Sequence, residues 1–156
     1  MKTILCTVGT SASKKLGIHP KKLEDWVSQY STVQEASIAL FKSFEDFKPE
    51  LEENLTQHLS AEVHSLARLR ISDKDRVLLF ASETPSGHCC ALAVKLYLET
   101  YWPGIVVEVK PIEGLQVDDP VCFQNKGVIN FVKTASHYIE SYGNGNVILN
   151  PTGGYK

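Results

Sequence analysis

Long apolar runs are missing from the sequence, which has no stretch of about twenty apolar residues able to span a bilayer. The opening stretch, MKTILCTVGTS, lacks the apolar core and the cleavage pattern of a signal peptide. An excess of one charge is missing too, because 16 Lys and Arg stand against 18 Asp and Glu, for a formal net charge of -2. We therefore expect a cytoplasmic protein with no general affinity for duplex DNA or an anionic membrane.

Cysteine is scarce and unsuitably spaced for a metal site. The four cysteines, Cys6, Cys89, Cys90 and Cys122, form no spaced pair, although His88 stands beside two of them. A closed zinc site needs about four ligands at workable spacing, so buried thiols are the better interpretation. We expect no metal and no cofactor.

The motifs of common nucleotide and hydrolase chemistry are also absent. Neither G-x-G-x-x-G nor G-x-x-x-x-G-K-[ST] occurs, which disfavours hydride transfer and nucleoside-triphosphate hydrolysis. Ser11 sits in no G-x-S-x-G elbow, and the five histidines fall mostly in predicted helices. Asp118 and Asp119, followed by Pro120, predict a turn rather than a carboxylate pair for acid-base work.

What the sequence does contain is a repeated alternation of short apolar runs and helical patterns. Short, continuously apolar strands are typical of a parallel sheet covered on both faces. Strand, helix, strand order predicts an α/β, Rossmann-like fold, with a mostly parallel sheet flanked by helices. The runs cover residues 3–8, 77–81, 105–109 and 147–149, the third ending at Pro111, and the helical patterns cover 87–101 and 127–142.

Residues 20–70 interrupt this alternation. They are rich in Lys, Glu, Gln, Ser and Leu, and they predict two or three amphipathic helices, the last being SAEVHSLARL. We interpret them as a helical insertion after the first strand. With 156 residues and 43% hydrophobic content, the chain predicts a single domain, 1–156.

Three of the four strands run into small polar loops, GTS, SETPSG and NPTGGYK. In a parallel sheet, loops that follow strands meet at the carboxyl edge, where ligands bind. Glycines let backbone N–H groups approach an anion, hydroxyls can donate to phosphate or ribose, and Lys156 offers a cation. A turn with a helix cap accounts equally well for GTS and for SETPSG taken alone.

Taken together, TVGTS, SAEVHSLARL, LLFASETPSGHCCA, GLQVDDP and ILNPTGGYK resemble the CRISPR-associated Rossmann-fold (CARF) domain of type III CRISPR ancillary proteins. The resemblance is to the branch that contains ring nucleases and the sensor halves of ancillary ribonucleases. It runs in order from Thr3 to Lys156. Pro151 is compatible with the family pattern but stiffens the approach to the glycine turn.

The resemblance implies a homodimer in antiviral defence whose joined pockets bind a cyclic oligoadenylate (cA4 or cA6). A ring with two-fold symmetry suits a symmetric dimer. Family members continue beyond this point, so the resemblance also implies a tail or effector domain after Lys156. The implied ligand-binding residues are Gly9, Thr10, Ser11, Ser82, Glu83, Thr84, Pro85, Gly87, Asn150, Thr152, Gly153, Gly154 and Lys156.

For ring-opening members, the resemblance implies cleavage without metal. The ribose 2′-hydroxyl attacks the adjacent phosphate and leaves a 2′,3′-cyclic phosphate, which requires positioning more than a strong base. Ser11 would orient the attacking hydroxyl or the phosphate, and Lys156 would stabilise the developing charge. Whether the ring is cleaved or only sensed stays open.

Two other functions are compatible with the residues alone. One is a conventional enzyme or binding protein for a mononucleotide or phosphorylated metabolite on a doubly wound sheet, which needs the polar loops but no dimer cleft. The other is a structural interaction domain whose loops hold no ligand.

Overall fold

All four predicted strands form one parallel sheet in the computed structural model, which describes residues 1–48, 53–116 and 118–152. The strands are β1 (Thr3–Val8), β2 (Arg76–Ser82), β3 (Val106–Ile112) and β4 (Val147–Asn150). They lie in the order β3-β2-β1-β4. The amino-terminal strand β1 is therefore interior, between β2 and β4, and β4 is the last of these strands in the sequence. The predicted α/β, Rossmann-like arrangement is confirmed.

The prediction that the third strand stops at Pro111 is wrong. β3 continues to Ile112, and Pro111 stands opposite Ala81 of β2. β3 lies at an edge of the described sheet, where a residue without an N–H need not interrupt a ladder of hydrogen bonds.

Helices cover both faces of the sheet, and local capping fixes where several of them begin. The hydroxyl of Ser60 accepts from the Val63 N–H at 3.1 Å, and that of Thr84 from the Gly87 N–H at 3.2 Å. The predicted insertion contains four α-helices in its described part. The helices are α1 (Leu23–Ser28), α2 (Val33–Lys42), α3 (Glu53–Thr56), α4 (Ala61–Arg68), α5 (Pro85–Tyr101), α6 (Pro120–Cys122) and α7 (Val128–Tyr142).

Alternate residues of the strands point into two separate cores. Ile4, Cys6 and Val8 of β1 pack under the helices of the insertion and α5. Leu5 faces the opposite side, where Phe80 meets Phe131 of α7 edge to face, with ring centroids 5.6 Å apart. Burial on both faces explains why the strands are apolar without alternation.

A close backbone contact fixes the chain after β3. Helix α7 was predicted to begin at Gly127, but a π-helical turn, Phe123–Gly127, comes first. A Cβ on Gly127 would collide with the carbonyl of Gly114, which has a φ of +79°. Only glycine allows this approach, so the turn after β3 is held against the start of α7.

Candidate functional site

A cavity of about 520 Å³ opens at the carboxyl edge of the sheet. Because all four strands are parallel, the segments that leave them lie at this edge, where the sequence predicted one site formed by the loops after β1, β2 and β4. Three of these segments line the cavity, at residues 9–11 after β1, at 82–87 after β2, and at Leu115, Gln116 and Asp118 after β3. Asp118, predicted as part of a turn, thus adds a carboxylate to the wall.

Ser11 is held in the cavity wall by two hydrogen bonds. Its hydroxyl donates to Oε2 of Glu62 at 2.7 Å and accepts from the Ala61 N–H at 3.0 Å. The other Glu62 oxygen, Oε1, accepts from the Gly9 N–H at 3.0 Å. Ser11, the first residue of a 3-10 helix (Ser11–Leu16), therefore pairs with the first N–H of α4, which Ser60 caps, and the Gly9 N–H is already bonded to Glu62.

Glu62 was missed by sequence reasoning, although it is fully buried and lines the cavity. Its position in the first turn of α4 places its charge where the helix dipole favours an anion. The sequence did contain one signal that Glu62 is buried. It stands four residues before Leu66, which is buried, so helical spacing places both on the same side of SAEVHSLARL.

The predicted 82–87 loop comprises the last residue of β2, residues 83–84 and the first turn of α5, and this segment, for which we keep the name 82–87 loop, presents a chain of hydroxyls. Ser82 and Thr84 lie 2.7 Å apart, oxygen to oxygen, and Ser86 donates to Oε1 of Glu24 on α1 at 2.7 Å. Gly87 permits this geometry, because a Cβ there would collide with the Ser82 hydroxyl. The predicted loop residues Ser82, Thr84 and Gly87 all line the cavity.

Two lysines supply positive charge to the cavity, and neither was predicted. Lys14 follows the 9–11 loop and Lys21 precedes α1, and both side chains are exposed where they line the wall. Neither forms an ion pair within the described part of the chain. Their charges are therefore available to an anionic ligand.

Asn150 and Thr152 lie beside the cavity rather than in its lining. Asn150 is buried, accepts from the Ser65 hydroxyl at 2.7 Å, and approaches the Cys6 sulfur at 3.5 Å. The Thr152 hydroxyl is 3.7 Å from the same sulfur. These contacts tie the end of β4 to α4 and β1.

The remaining predicted residues fall into two groups. Glu83 and Pro85 are exposed and do not line the cavity. Gly153, Gly154 and Lys156 lie outside the described residues, so the predicted charged tip at Lys156 stays a prediction.

Three of the four cysteine thiols, those of Cys6, Cys89 and Cys90, are buried as expected, whereas Cys122 is only half-buried. Burial, reinforced by the charge of Glu62, raises the pKa of Cys6 to about 12, and burial with Glu24 does the same for Cys89. Among the described residues, no three His, Cys, Asp or Glu side chains cluster as metal ligands, and no helix there is long and apolar enough to cross a membrane.

Residues 57–156 match the family described as CRISPR-associated protein (Cas_APE2256), which is more than half of the chain. The chain belongs to this family. Its CRISPR association, expected from the resemblance, is thereby confirmed. No curated protein matches this CRISPR-associated protein. The matched part includes α4, the 82–87 loop and β4, whereas the 9–11 loop precedes it.

The geometry of this CRISPR-associated protein suits an anionic, hydroxyl-rich ligand. The residues that line the cavity include two lysines, the hydroxyl-bearing Thr10, Ser11 and Thr84, and the acidic residues Glu24, Glu62 and Asp118. Cations attract phosphates, while carboxylates and hydroxyls accept hydrogen bonds from sugar hydroxyls and amino groups.

Proposed function

We propose that two copies of this chain bind one cyclic oligoadenylate in CRISPR defence, as a CARF-type receptor. The observation that carries the proposal is the cavity at the carboxyl edge, in which hydroxyls of two predicted ligand loops meet two lysines without ion pairs in the described part of the chain. Family membership supports the CRISPR setting.

The size of the cavity favours a shared ligand. A volume of about 520 Å³ is in the range of pockets for one drug-sized molecule, about 300–1,000 Å³. A ring of four or six nucleotides exceeds one such molecule. Two cavities that face each other across a two-fold axis would offer equivalent halves to a symmetric ring.

An apolar patch supports pairing of two copies beside the cavity. Ile129 and Val132 of α7 are 48% and 53% exposed, and Val121 is also exposed. Because α7 connects the parallel strands β3 and β4, it begins at the carboxyl edge, next to the cavity. Burying this patch against its copy would remove apolar surface from water and bring the two cavities together.

Ring cleavage is the second candidate activity, and the fixed position of Ser11 favours it. In this reaction the 2′-hydroxyl gives up its proton as its oxygen bonds to phosphorus. The bond from phosphorus to the 5′ oxygen breaks, the leaving oxygen takes up a proton to become a 5′-hydroxyl, and a 2′,3′-cyclic phosphate results. Attack in line requires the hydroxyl to be oriented, which a side chain held by two hydrogen bonds can provide.

Calorimetry with the purified chain tests the binding proposal. We expect cyclic tetra- or hexa-adenylate to bind with a stoichiometry of one ring per two chains and AMP to bind far more weakly. The Lys14→Ala, Lys21→Ala double variant should lose about ten-fold or more in affinity, with a weaker salt dependence. Lys22→Ala, next to the cavity but outside its lining, is the matched control.

The same samples decide between the alternatives. Linear products with 2′,3′-cyclic phosphate ends, detected by mass spectrometry, would establish cleavage, whereas an intact ring after prolonged incubation would leave a receptor only. A strict monomer that binds AMP and neither ring would overturn the proposal in favour of a mononucleotide or phosphometabolite protein.

A further inference from the structure

We propose that Glu62 is a positioning residue that fixes Ser11 as a hydrogen-bond acceptor towards the cavity, so that Ser11 takes a ligand hydroxyl and not a phosphate oxygen. This inference rests on the proposed function and specifies which part of the ring meets Ser11. It begins from the buried carboxylate, which sequence reasoning did not identify.

The donor and acceptor roles of the Ser11 hydroxyl follow from its two hydrogen-bond partners. A carboxylate only accepts hydrogen bonds, so the 2.7 Å contact with Glu62 uses the single hydroxyl hydrogen of Ser11. A backbone N–H only donates, so Ala61 uses one of the two lone pairs on the Ser11 oxygen. One lone pair is left, and it can only accept.

Glu62 is itself held so that it cannot easily turn away. It is fully buried, and its second oxygen accepts from the Gly9 N–H at 3.0 Å. Both carboxylate oxygens are therefore bonded to the same loop, at residues 9–11. A rotation that freed Ser11 would also break the bond from the half-buried Gly9 N–H to the carboxylate, which opposes the rotation.

The charges of the cavity favour the same arrangement, with a ligand hydroxyl at Ser11 and phosphates at the lysines. A phosphate at Ser11 would receive no hydrogen from the Ser11 hydroxyl and would lie close to the carboxylate of Glu62, which repels it. Lys14, one turn after Ser11 in the same 3-10 helix, and Lys21 offer positive charge on the lining beside it. The ribose hydroxyl at Ser11 and phosphates at the lysines give each ligand group a complementary partner.

Binding of natural and 2′-fluoro rings tests the inference, because 2′-fluorine replaces the hydroxyl and donates no hydrogen bond. We expect wild-type protein to bind natural cyclic tetra- or hexa-adenylate at least about ten-fold more tightly than its 2′-fluoro analogue. If Ser11 instead donated to phosphate, the two rings would bind equally, and that result would overturn the inference.

The Glu62→Gln variant tests the role of the carboxylate itself. If the Gln oxygen keeps the Gly9 N–H, the amide N–H₂ faces Ser11 and donates to it, so the Ser11 hydrogen turns towards the cavity. The preference for the natural ring should then fall to about two-fold or less. Glu108→Gln, which alters a carboxylate that pairs with Lys110 and lies outside the cavity lining, should keep the preference.

Each outcome has a distinct meaning. A folded Glu62→Gln protein that retains the ten-fold preference would exclude the positioning role. If that variant fails to fold, Ser11→Ala decides the acceptor role, because loss of the preference for the natural ring supports it and an unchanged preference excludes it. Failure of wild-type protein to bind either natural ring would overturn the proposed function instead.

Discussion

Among single residues, Asp75 shows how a charge is held at the amino edge of the sheet. It is buried, its Oδ1 accepts from the Lys2 N–H at 2.7 Å, and its Oδ2 accepts from the Ser72 N–H at 2.8 Å. Burial alone would raise the pKa of Asp75, but these bonds, the Ser72 hydroxyl and the Lys2 charge outweigh burial and lower it. The ionised carboxylate joins the start of β1 to the turn before β2.

Replacing this carboxylate should destabilise the fold in a pH-dependent way. Because the folded-state pKa is lowered, the stabilisation is present above the unfolded pKa of about 4 and is lost as pH falls through the folded value. Asp75→Asn should reduce the free energy of unfolding by about 1–3 kcal/mol at pH 7 in urea titrations, and by progressively less as the pH falls below about 4. Asp73→Asn, an exposed position of the same turn, is the control, and equal losses in both variants would contradict the expectation.

The predictable residues of the site are those whose role follows from local sequence. Gly9, Ser11, Ser82 and Thr84 come directly after apolar strands, so sheet geometry alone brings them to one edge. Glu62 reaches the same edge only because α4 packs over β1, and no sequence spacing specifies that contact. Lys14 and Lys21 were missed for the same reason.

At the scale of elements, the contact between Gly114 and Gly127 sets the position of one cavity wall. Leu115, Gln116 and Asp118 follow Gly114 directly and line the cavity. The π-helical turn that ends at Gly127 therefore connects the start of α7 to the proposed ligand site.

Gly127→Ala should disturb this wall. Its Cβ would meet the backbone of Gly114 and Leu115, which cannot move aside as a flexible side chain could. We expect a loss of about 1–3 kcal/mol in the free energy of unfolding and weaker binding of cyclic oligoadenylate. Gly145→Ala is the control, because its Cβ would meet nothing within 4 Å. Equal behaviour of the two variants in thermal melts would exclude the steric role of Gly127.

Element types were predictable because apolar periodicity is a local property of the chain. The run at 3–8 and the helical pattern ending at residue 101 match β1 and α5 closely. The first and last residues of helices and strands were less predictable where contacts with neighbouring residues decide them. Pro111 stays in β3 because of its edge position, and α5 begins two residues earlier than its apolar pattern because Thr84 caps it.

At the scale of the whole molecule, the proposed dimer predicts that one apolar face controls both assembly and binding. Ile129→Lys with Val132→Lys places two charges in the expected interface, where burial of an unpaired charge is unfavourable. Light scattering should show a dimer for the wild-type protein and a monomer for the double variant. The variant should also lose at least about ten-fold in affinity for the ring. Ile38→Lys, on an exposed apolar position of α2, should change neither. If the double variant stays dimeric, the apolar patch is not the dimer interface.

The strand order has a consequence for how the chain acquires its structure during synthesis. β1 is central, yet one of its two edges is completed only by β4, with Thr3 paired to Val147. A ribosome therefore releases β1 long before that partner exists, and the nascent chain carries a strand edge with free N–H and C=O groups. Such distant pairing is slow to form, so β1 and the first ligand loop assume their final surroundings late.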